Sequence, residues 1–204
     1  MIKVLILNAS LKHKGKGISN TEELAELVLK NMRKHGKISS EIIRLSDKNI
    51  PVGLGFRESK NDDWPEIVNK IKAANIVIFA TPIWWGGRSS LMQRIIERMD
   101  ALDEEYILGG RSALLNKVAG VVITGSEDGA QATLGSIMEF LTFMNFTLPP
   151  ECGAYWVGEV GQPSKYDRSK RLKNKATKHM AQNLARNLMY YAELLFLHPL
   201  IPKK

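Results

Sequence analysis

A polar segment rich in hydroxyl and basic side chains follows the first apolar run of the sequence. It starts with Asn8-Ala-Ser-Leu-Lys12, continues through a glycine and lysine spacer, and ends at Ser19-Asn-Thr-Glu-Glu23, where a helical pattern begins. Hydroxyls, free backbone N–H groups and the positive end of a helix dipole together suit a phosphate monoester. The same residues also fit a capping box, with Ser19 as N-cap and Glu22 three residues later, which requires no ligand. Both interpretations remain open for this segment alone.

Two further segments contain residues that suit a flat aromatic ligand. Thr81-Pro-Ile-Trp-Trp-Gly-Gly-Arg-Ser-Ser90 places two tryptophans beside two glycines, which allows ring stacking and close approach of backbone N–H groups. The tryptophans could equally pack under a loop or against a subunit partner. Thr124-Gly-Ser-Glu-Asp-Gly-Ala130 is a polar, glycine-rich turn into a helix, and Asp128 could simply cap that helix.

Several common motifs are absent from the sequence. Gly53-Leu-Gly55 does not complete G-x-G-x-x-G, because Glu58 occupies the third glycine position, and no G-x-x-x-x-G-K-[ST] occurs. The one cysteine, Cys152, excludes a disulfide within one chain and a metal or iron–sulfur site made only of cysteines. We therefore expect no metal site.

Apolar patterning predicts strands and helices that alternate along the chain. Buried apolar runs predict strands at residues 2–7, 40–45, 75–80, 118–123 and 153–157. Helical periodicity predicts helices at about 20–34, 64–73, 89–101, 131–145 and 167–197. The connecting segments are a loop at 46–63 and a long excursion at 103–116.

This order predicts an α/β fold, a doubly wound parallel sheet of five strands with helices on both faces. No linker or internal repeat divides the sequence, so we expect one domain over residues 1–204. In such sheets ligands bind beyond the carboxyl ends of the strands, which is where the three polar segments lie.

Composition and charge limit the class of protein. The chain has 204 residues, 44% hydrophobic and 25% charged, which argues against a disordered, collagen-like or low-complexity protein. There is no pattern of a secretion signal and no apolar stretch of the roughly 18–20 residues that a membrane span needs. We expect a cytoplasmic protein without a membrane segment.

The positive charge is concentrated near the end of the sequence. The formal net charge is +8, and residues 165–204 contain ten basic against two acidic residues, which leaves nineteen of each before them. A solvated face on a terminal helix explains this cluster, and so does attraction of an anionic ligand such as a dinucleotide or nucleic acid. No zinc-finger, helix-turn-helix or RNA-recognition signature accompanies it, so we do not expect nucleic-acid binding.

Together, the polar segments resemble the flavodoxin-like NADPH-dependent FMN reductases, relatives of the tryptophan-repressor-binding-protein quinone reductases and the iron–sulfur flavoproteins. The segments that carry the resemblance are Asn8-x-Ser-Leu-Lys12 with Ser19-Asn-Thr-Glu22, Thr81-Pro-Ile-Trp-Trp-Gly-Gly87, and Thr124-Gly-Ser-Glu-Asp-Gly129. Leu148-Pro-Pro-Glu151 and Ala154-Tyr-Trp-Val-Gly-Glu159 look similar to later segments of the family. This chain departs from the relatives in having Trp84 where tyrosine is frequent, and in lacking the cysteine cluster of iron–sulfur flavoproteins.

The resemblance implies a flavodoxin-like sheet of strand order 2-1-3-4-5 that binds FMN. It places the FMN phosphate at Ser10, Lys12, Ser19, Asn20 and Thr21. It places the isoalloxazine ring along Pro82, Ile83, Trp84, Trp85, Gly86 and Gly87, with its other edge beside Thr124, Gly125, Asp128 and Gly129. Backbone N–H groups of residues 85–87 are the donors expected near flavin N5.

By the same resemblance, the chain is an FMN-dependent NAD(P)H oxidoreductase. A nicotinamide passes a hydride to the flavin, and a quinone, free flavin or other small acceptor then takes the electrons. The flavin carries the chemistry, so no catalytic side chain is expected, and the four scattered histidines are interpreted as structural.

The resemblance also bears on partners and on a rival function. Relatives commonly form dimers or tetramers, so we expect a homo-oligomer, with the excursion at 103–116 as a candidate contact or, equally, a surface loop. The alternative function is that of a flavodoxin-like electron carrier or binding protein without its own nicotinamide reaction. Such carriers are typically acidic, whereas this chain is basic. No side chain is recognisable as a reader of the 2′-phosphate that distinguishes NADPH from NADH.

Overall fold

The structure is a computed structural model, and it describes residues 1–17, 19–126, 128–158 and 173–201. Its strands are β1 (Ile2–Asn8), β2 (Ile38–Arg44), β3 (Ile76–Trp84), β4 (Gly87–Arg88), β5 (Val118–Gly125) and β6 (Gly153–Val157). Its helices are α1 (Asn20–Met32), α2 (Trp64–Ala73), α3 (Ser90–Arg98), α4 (Asp100–Gly109), α5 (Ala130–Phe143) and α6 (Lys175–Leu197). One turn of 3₁₀ helix covers Leu45–Asp47.

Five of these strands form a parallel sheet in the order β2-β1-β3-β5-β6. The two-residue β4 lies outside this path and pairs antiparallel with the end of β3. Without β4 the order is 2-1-3-4-5, so the predicted flavodoxin-like α/β fold is confirmed. The crossovers bring the carboxyl ends of β1, β3 and β5 together at one edge of the sheet, where ligands of such folds bind.

Each face of the sheet has its own apolar core, because successive side chains of a strand point to opposite faces. Val4 and Ile6 of β1 pack with α1 and α6 on one face. Leu5 and Leu7 pack with α2, α3 and α5 on the other. The central strands are therefore buried on both faces, which explains why they appear in the sequence as continuous apolar runs.

The segment between α3 and β5 differs from its prediction. The helix predicted at 89–101 ends at Arg98, and the excursion predicted at 103–116 contains most of α4. Ala101 and Leu102 bury the first turn of α4, whereas its last turns are exposed, so no continuous apolar stripe marks this helix in the sequence. Gly110, with φ of 68°, ends α4 in the left-handed conformation that glycine adopts without strain.

The C-terminal helix starts later than predicted. Helix α6 begins at Lys175 rather than near residue 167, and Asn174 lies before it in an extended conformation. The Asn174 side chain accepts the backbone N–H of Thr177 at 2.9 Å, which is an N-cap that interrupts any longer helix. The rest of the predicted helix, at 167–172, and most of the basic cluster lie outside the described residues.

A buried ion pair anchors the segment between β2 and α2. The Arg98 guanidinium donates to Asp62 Oδ2 at 2.7 Å, and both side chains are fully buried. Arg98 also donates to the carbonyls of Pro51 at 2.9 Å and Gly55 at 3.0 Å. After the 3₁₀ turn this segment has no helix or strand, as predicted, and its path is fixed instead by these side-chain contacts.

Candidate functional site

The β1–α1 segment brings donors to the N-terminus of a helix. Ser19 is the N-cap of α1, and its Oγ accepts the N–H of Glu22 at 3.1 Å, which confirms the N-cap of the predicted capping box. The Glu22 carboxylate bonds to Asn8 and Arg44 instead of completing the box. The preceding N–H groups, those of Asn20 and Thr21, have no acceptor within the helix because they belong to its first turn. These two donors and the helix dipole favour an anion at this point.

A network of buried and partly buried polar groups fixes this segment. Glu22 Oε2 accepts from Asn8 Nδ2 at 2.7 Å and from Arg44 Nε at 3.0 Å. The other end of the Asn8 amide, Oδ1, accepts the N–H of Ser10 at 3.1 Å. The network thus links β2, α1 and the end of β1, and it orients the chain at Ser10 before any ligand binds.

The tip of the same segment is tied to the 3₁₀ turn. Asp47 Oδ1 contacts His13 Nδ1 at 3.0 Å and accepts the N–H of Lys14 at 3.2 Å. Partial burial would raise the pKa of Asp47, but the Lys14 N–H and the His13 ring outweigh it and hold that pKa below its usual range. The carboxylate is therefore charged near neutral pH and keeps the Lys-rich spacer against the body of the protein.

The second polar segment, Thr81–Ser90, forms a hairpin. Strand β3 continues through Trp84, beyond the predicted end at residue 80, and pairs with β4. Trp85 and Gly86 connect the two strands, with φ values of 49° and 79°. Positive φ at both central residues is characteristic of a type I′ turn, the two-residue turn that matches the twist of a hairpin. The turn projects from the same edge of the sheet as the β1–α1 segment.

The end of β5 meets both of the other segments. Thr124 Oγ1 and Thr21 Oγ1 are buried and 2.8 Å apart, a hydrogen bond between β5 and the first turn of α1. Gly129 lies against the hairpin turn, so that a Cβ on it would be 2.6 Å from the carbonyl oxygen of Gly86. The three sequence segments therefore form one continuous rim.

Asp128 does not have the capping role considered for it. The N-cap of α5 is Gly129, and no side chain makes a cap hydrogen bond there. Asp128 is exposed instead. Gly129, in the left-handed conformation, occupies the N-cap position directly before the helix, so the alternative role considered for Asp128 is wrong.

A cavity of about 230 Å³ opens between these segments. Its lining includes nine of the predicted site residues: Ser10, Lys12, Asn20, Thr21, Pro82, Ile83, Trp84, Thr124 and Gly125. Leu11 and Ser126 also line it and were missed, although both lie inside the quoted motifs. The predicted residues outside the lining are Ser19, Trp85, Gly86, Gly87, Asp128 and Gly129.

The lining has two chemically different parts. Hydroxyl groups, an amide, a lysine and the first turn of α1 come from the β1–α1 side. Pro82, Ile83 and the half-exposed Trp84 form an apolar wall on the hairpin side. An anion fits the first part and a flat aromatic group fits the second, so the residues present fit FMN, which has a phosphate at one end and a planar ring at the other.

Comparison with known proteins identifies the family. Residues 2–161 match the family described as NADPH-dependent FMN reductase. The chain belongs to this family. It is an oxidoreductase by that membership, and the predicted cofactor FMN, with NAD(P)H as co-substrate, is confirmed at the level of the family.

Two curated proteins and one solved structure are similar over nearly the whole chain. A protein of Streptomyces davaonensis, 8-demethyl-8-aminoriboflavin-5′-phosphate synthase, is 29% identical over 203 residues, which covers 95% of this chain and 78% of that protein. The crystal structure of RosB with bound 8-demethyl-8-formylriboflavin-5′-phosphate has a TM-score of 0.88 and 28% identity, and covers 98% of this chain and 82% of that one.

The other curated relative is much longer than this chain. The protein named divalent metal cation transporter MntH of Mycobacterium bovis is 32% identical over 200 residues, which covers 95% of this chain. The chain spans only 29% of the length of that protein. Within the described residues, no helix is both long and apolar enough to cross a membrane.

Proposed function

We propose that this chain binds FMN in the cavity at the carboxyl edge of the sheet and uses it to oxidise NAD(P)H. The observation that carries the proposal is the division of one cavity into an anion-binding end at α1 and an apolar wall at the hairpin. Membership of the NADPH-dependent FMN reductase family supports both the cofactor and the electron donor.

The residues have distinct tasks in this proposal. Ser10, Lys12 and the N–H groups of Asn20 and Thr21 hold the phosphate, while Ser19 keeps the first turn of α1 in place. Hydrogen bonds to a charged group contribute about 1.5–3 kcal/mol each, so these few donors supply much of the affinity. The Asn8–Glu22–Arg44 network holds them in position, which limits the entropy lost when the phosphate binds.

The hairpin and the β5 end hold the ring. The apolar wall at Pro82, Ile83 and Trp84 contacts its surface, and the N–H groups of Trp85–Gly87 donate to its polar edge. Gly125 and Gly129, with Thr124 and Asp128, border the opposite edge. When bound, FMN supplies the redox chemistry, the transfer of electrons from NAD(P)H to a small acceptor. The protein supplies binding, orientation and exclusion of water, and no side chain is required as an acid or base.

We propose a quinone, free flavin or similar small electrophile as the acceptor. The runner-up, an electron carrier without its own nicotinamide reaction, is disfavoured by the formal net charge of +8. A second candidate, a flavin-modifying enzyme, is favoured by the similarity to 8-demethyl-8-aminoriboflavin-5′-phosphate synthase and to RosB, whose crystal structure contains 8-demethyl-8-formylriboflavin-5′-phosphate. In that case the flavin phosphate in the cavity is itself the substrate.

We also propose that the chain forms a homo-oligomer. The end of α4 exposes Ile107 and Leu108 by 71% and 80%, next to the partly exposed Tyr106. Such a run of exposed apolar side chains is typical of a contact between subunits. It lies within the excursion that the sequence singled out as a candidate contact.

Absorption spectra of the purified protein, recorded without oxygen before and after addition of NADPH, test the proposed function. We expect a yellow flavin spectrum that is bleached by NADPH and restored by a quinone, with steady NADPH consumption when both are present. A colourless protein that takes up no added FMN would contradict the proposal. A yellow flavin spectrum that NADPH does not bleach would favour the carrier, and a changed mass of the recovered flavin would favour the flavin-modifying enzyme.

A further inference from the structure

A second cleft lies on the other side of the hairpin from the proposed FMN cavity. It has a volume of about 430 Å³ and lies between the hairpin and α5. Its lining consists of Gly86, Gly87, Arg88, Gln93, Ala132, Thr133 and Ser136. Trp84 and Gly86, two residues apart in the hairpin, line the first cavity and the second cleft respectively, so a single turn of chain separates the two spaces.

Arg88 is the charged group of this cleft, and neutral partners hold it. Its Nε donates to Gln93 Oε1 at 2.6 Å, and its Nη1 donates to Ser136 Oγ at 2.8 Å. Within the described part of the chain no carboxylate lies within ion-pair distance of Arg88. The nearby Glu97 carboxylate accepts from Gln93 Nε2 instead. A half-buried guanidinium is thus oriented but has no counter-charge, which is the usual state of an arginine that binds an anionic ligand.

Thr133, whose hydroxyl has no hydrogen-bond partner among the described residues, is one of the residues that line the same cleft. Thr133 is 1% exposed, and its Oγ1 has no hydrogen-bond partner among the described residues. A threonine in a helix usually satisfies its hydroxyl on a preceding carbonyl. The N–H of Thr133 bonds to the carbonyl of Gly129, but the hydroxyl is left over. An unsatisfied buried hydroxyl costs about 1–3 kcal/mol, and a small rotation of the Thr133 side chain toward a ligand oxygen in the cleft would remove that cost.

We propose that this cleft binds a phosphate group of the nicotinamide dinucleotide, with Arg88 as its counter-charge and Thr133 as a second hydrogen-bond partner. The inference rests on the proposed function, because it places the electron donor beside the ring-binding hairpin. A guanidinium beside hydroxyl-bearing residues, with no carboxylate in the lining, suits a phosphate rather than a cation or an apolar group. The phosphate is either the 2′-phosphate, which NADP⁺ has and NAD⁺ lacks, or the pyrophosphate, which both dinucleotides have.

Calorimetric titration of the FMN-loaded protein with NADP⁺ and with NAD⁺ tests the subsite. Arg88→Gln is expected to weaken NADP⁺ binding by about tenfold or more, the effect of losing a hydrogen-bonded ion pair. Thr133→Val, which keeps the shape of the side chain, is expected to weaken it by a few fold. A weaker NAD⁺ affinity in Arg88→Gln would assign the pyrophosphate, and an unchanged one would assign the 2′-phosphate.

A matched control and a separate measurement keep the outcomes distinct. Arg186→Gln makes the same charge change at an exposed residue of α6, across the sheet from this cleft, and is expected to leave NADP⁺ affinity unchanged. FMN affinity, followed by flavin fluorescence, should stay within about twofold of the wild type in every variant. If Arg88→Gln binds FMN normally and NADP⁺ as tightly as the wild type, the subsite is overturned. Absence of FMN binding in the wild type would overturn the proposed function itself.

Discussion

Trp84 and Trp85 are neighbours in the sequence, but their side chains have different surroundings. Trp84 is 50% exposed and lines the cavity, whereas Trp85 is 90% exposed on the hairpin turn. Trp85 also has a φ of 49°, a conformation that is strained for a bulky residue by about 1–3 kcal/mol. We therefore propose that the two residues contribute differently to FMN binding, Trp84 through its ring and Trp85 through its backbone N–H.

Substitution of each tryptophan tests this difference. Trp84→Ala is expected to weaken FMN binding by roughly three- to tenfold, because an aromatic contact contributes about 0.5–1.5 kcal/mol beyond its buried area. Trp85→Asn is expected to keep FMN affinity, because asparagine retains the N–H, and to leave the melting temperature equal or higher, because asparagine tolerates positive φ. Fluorescence titration and thermal unfolding measure both effects. Equal losses of FMN affinity in the two variants would show that the ring does not lie on Trp84.

At the scale of elements, the segment between β2 and α2 depends on one ion pair. Burial alone would raise the pKa of Asp62, but the N–H of Glu58, the Arg98 guanidinium and the N–H of Trp64 outweigh it and hold that pKa below the usual value. The folded state thus binds a proton at Asp62 less readily than the unfolded state does. Its contribution to stability is present above about pH 4, the pKa region of an unfolded aspartate, and is lost as the pH falls through the lower folded pKa.

Removal of the Asp62 charge should change both stability and its pH dependence. Asp62→Asn is expected to lower the free energy of unfolding at pH 7 by about 3–5 kcal/mol, because Arg98 stays buried without a counter-charge. It should also flatten the decline in stability below about pH 4. Urea unfolding at several pH values measures both. Asp63→Asn is the control, since Asp63 accepts the N–H of Asn49 and has no guanidinium partner within the described residues. The same loss and the same pH profile in both variants would contradict this role of Asp62.

At the scale of the whole molecule, the sheet was predictable because its central strands β1, β3 and β5 are buried on both faces. Continuous apolar runs are the sequence signature of such strands, and β6 and α2 have the predicted bounds. The three polar segments at the strand ends could also be predicted from the sequence, because hydroxyl residues and glycines stand out between apolar runs. Whether they meet is a matter of topology, and the Thr21–Thr124 hydrogen bond shows that they do.

The features that escaped prediction depend on contacts between distant residues. The hairpin was hidden because Pro82 and two tryptophans resemble a loop, and a tryptophan at a type I′ position is not a usual turn signal. The network of Asn8, Glu22 and Arg44 joins three elements, so no local sequence pattern predicts it. In the sequence nothing distinguishes Arg88 from the other basic residues, because its neutral partners and the cleft arise only from the tertiary structure.

Titration of the apoprotein with FMN and with riboflavin tests most directly whether the β1–α1 segment binds the phosphate group of a flavin. The two flavins share the ring and differ in the phosphate, so we predict that FMN binds at least about a hundredfold more tightly, as two or more charge-assisted hydrogen bonds require. Ser10→Ala should weaken FMN binding and leave riboflavin binding unchanged. Equal dissociation constants for FMN and riboflavin would contradict the account.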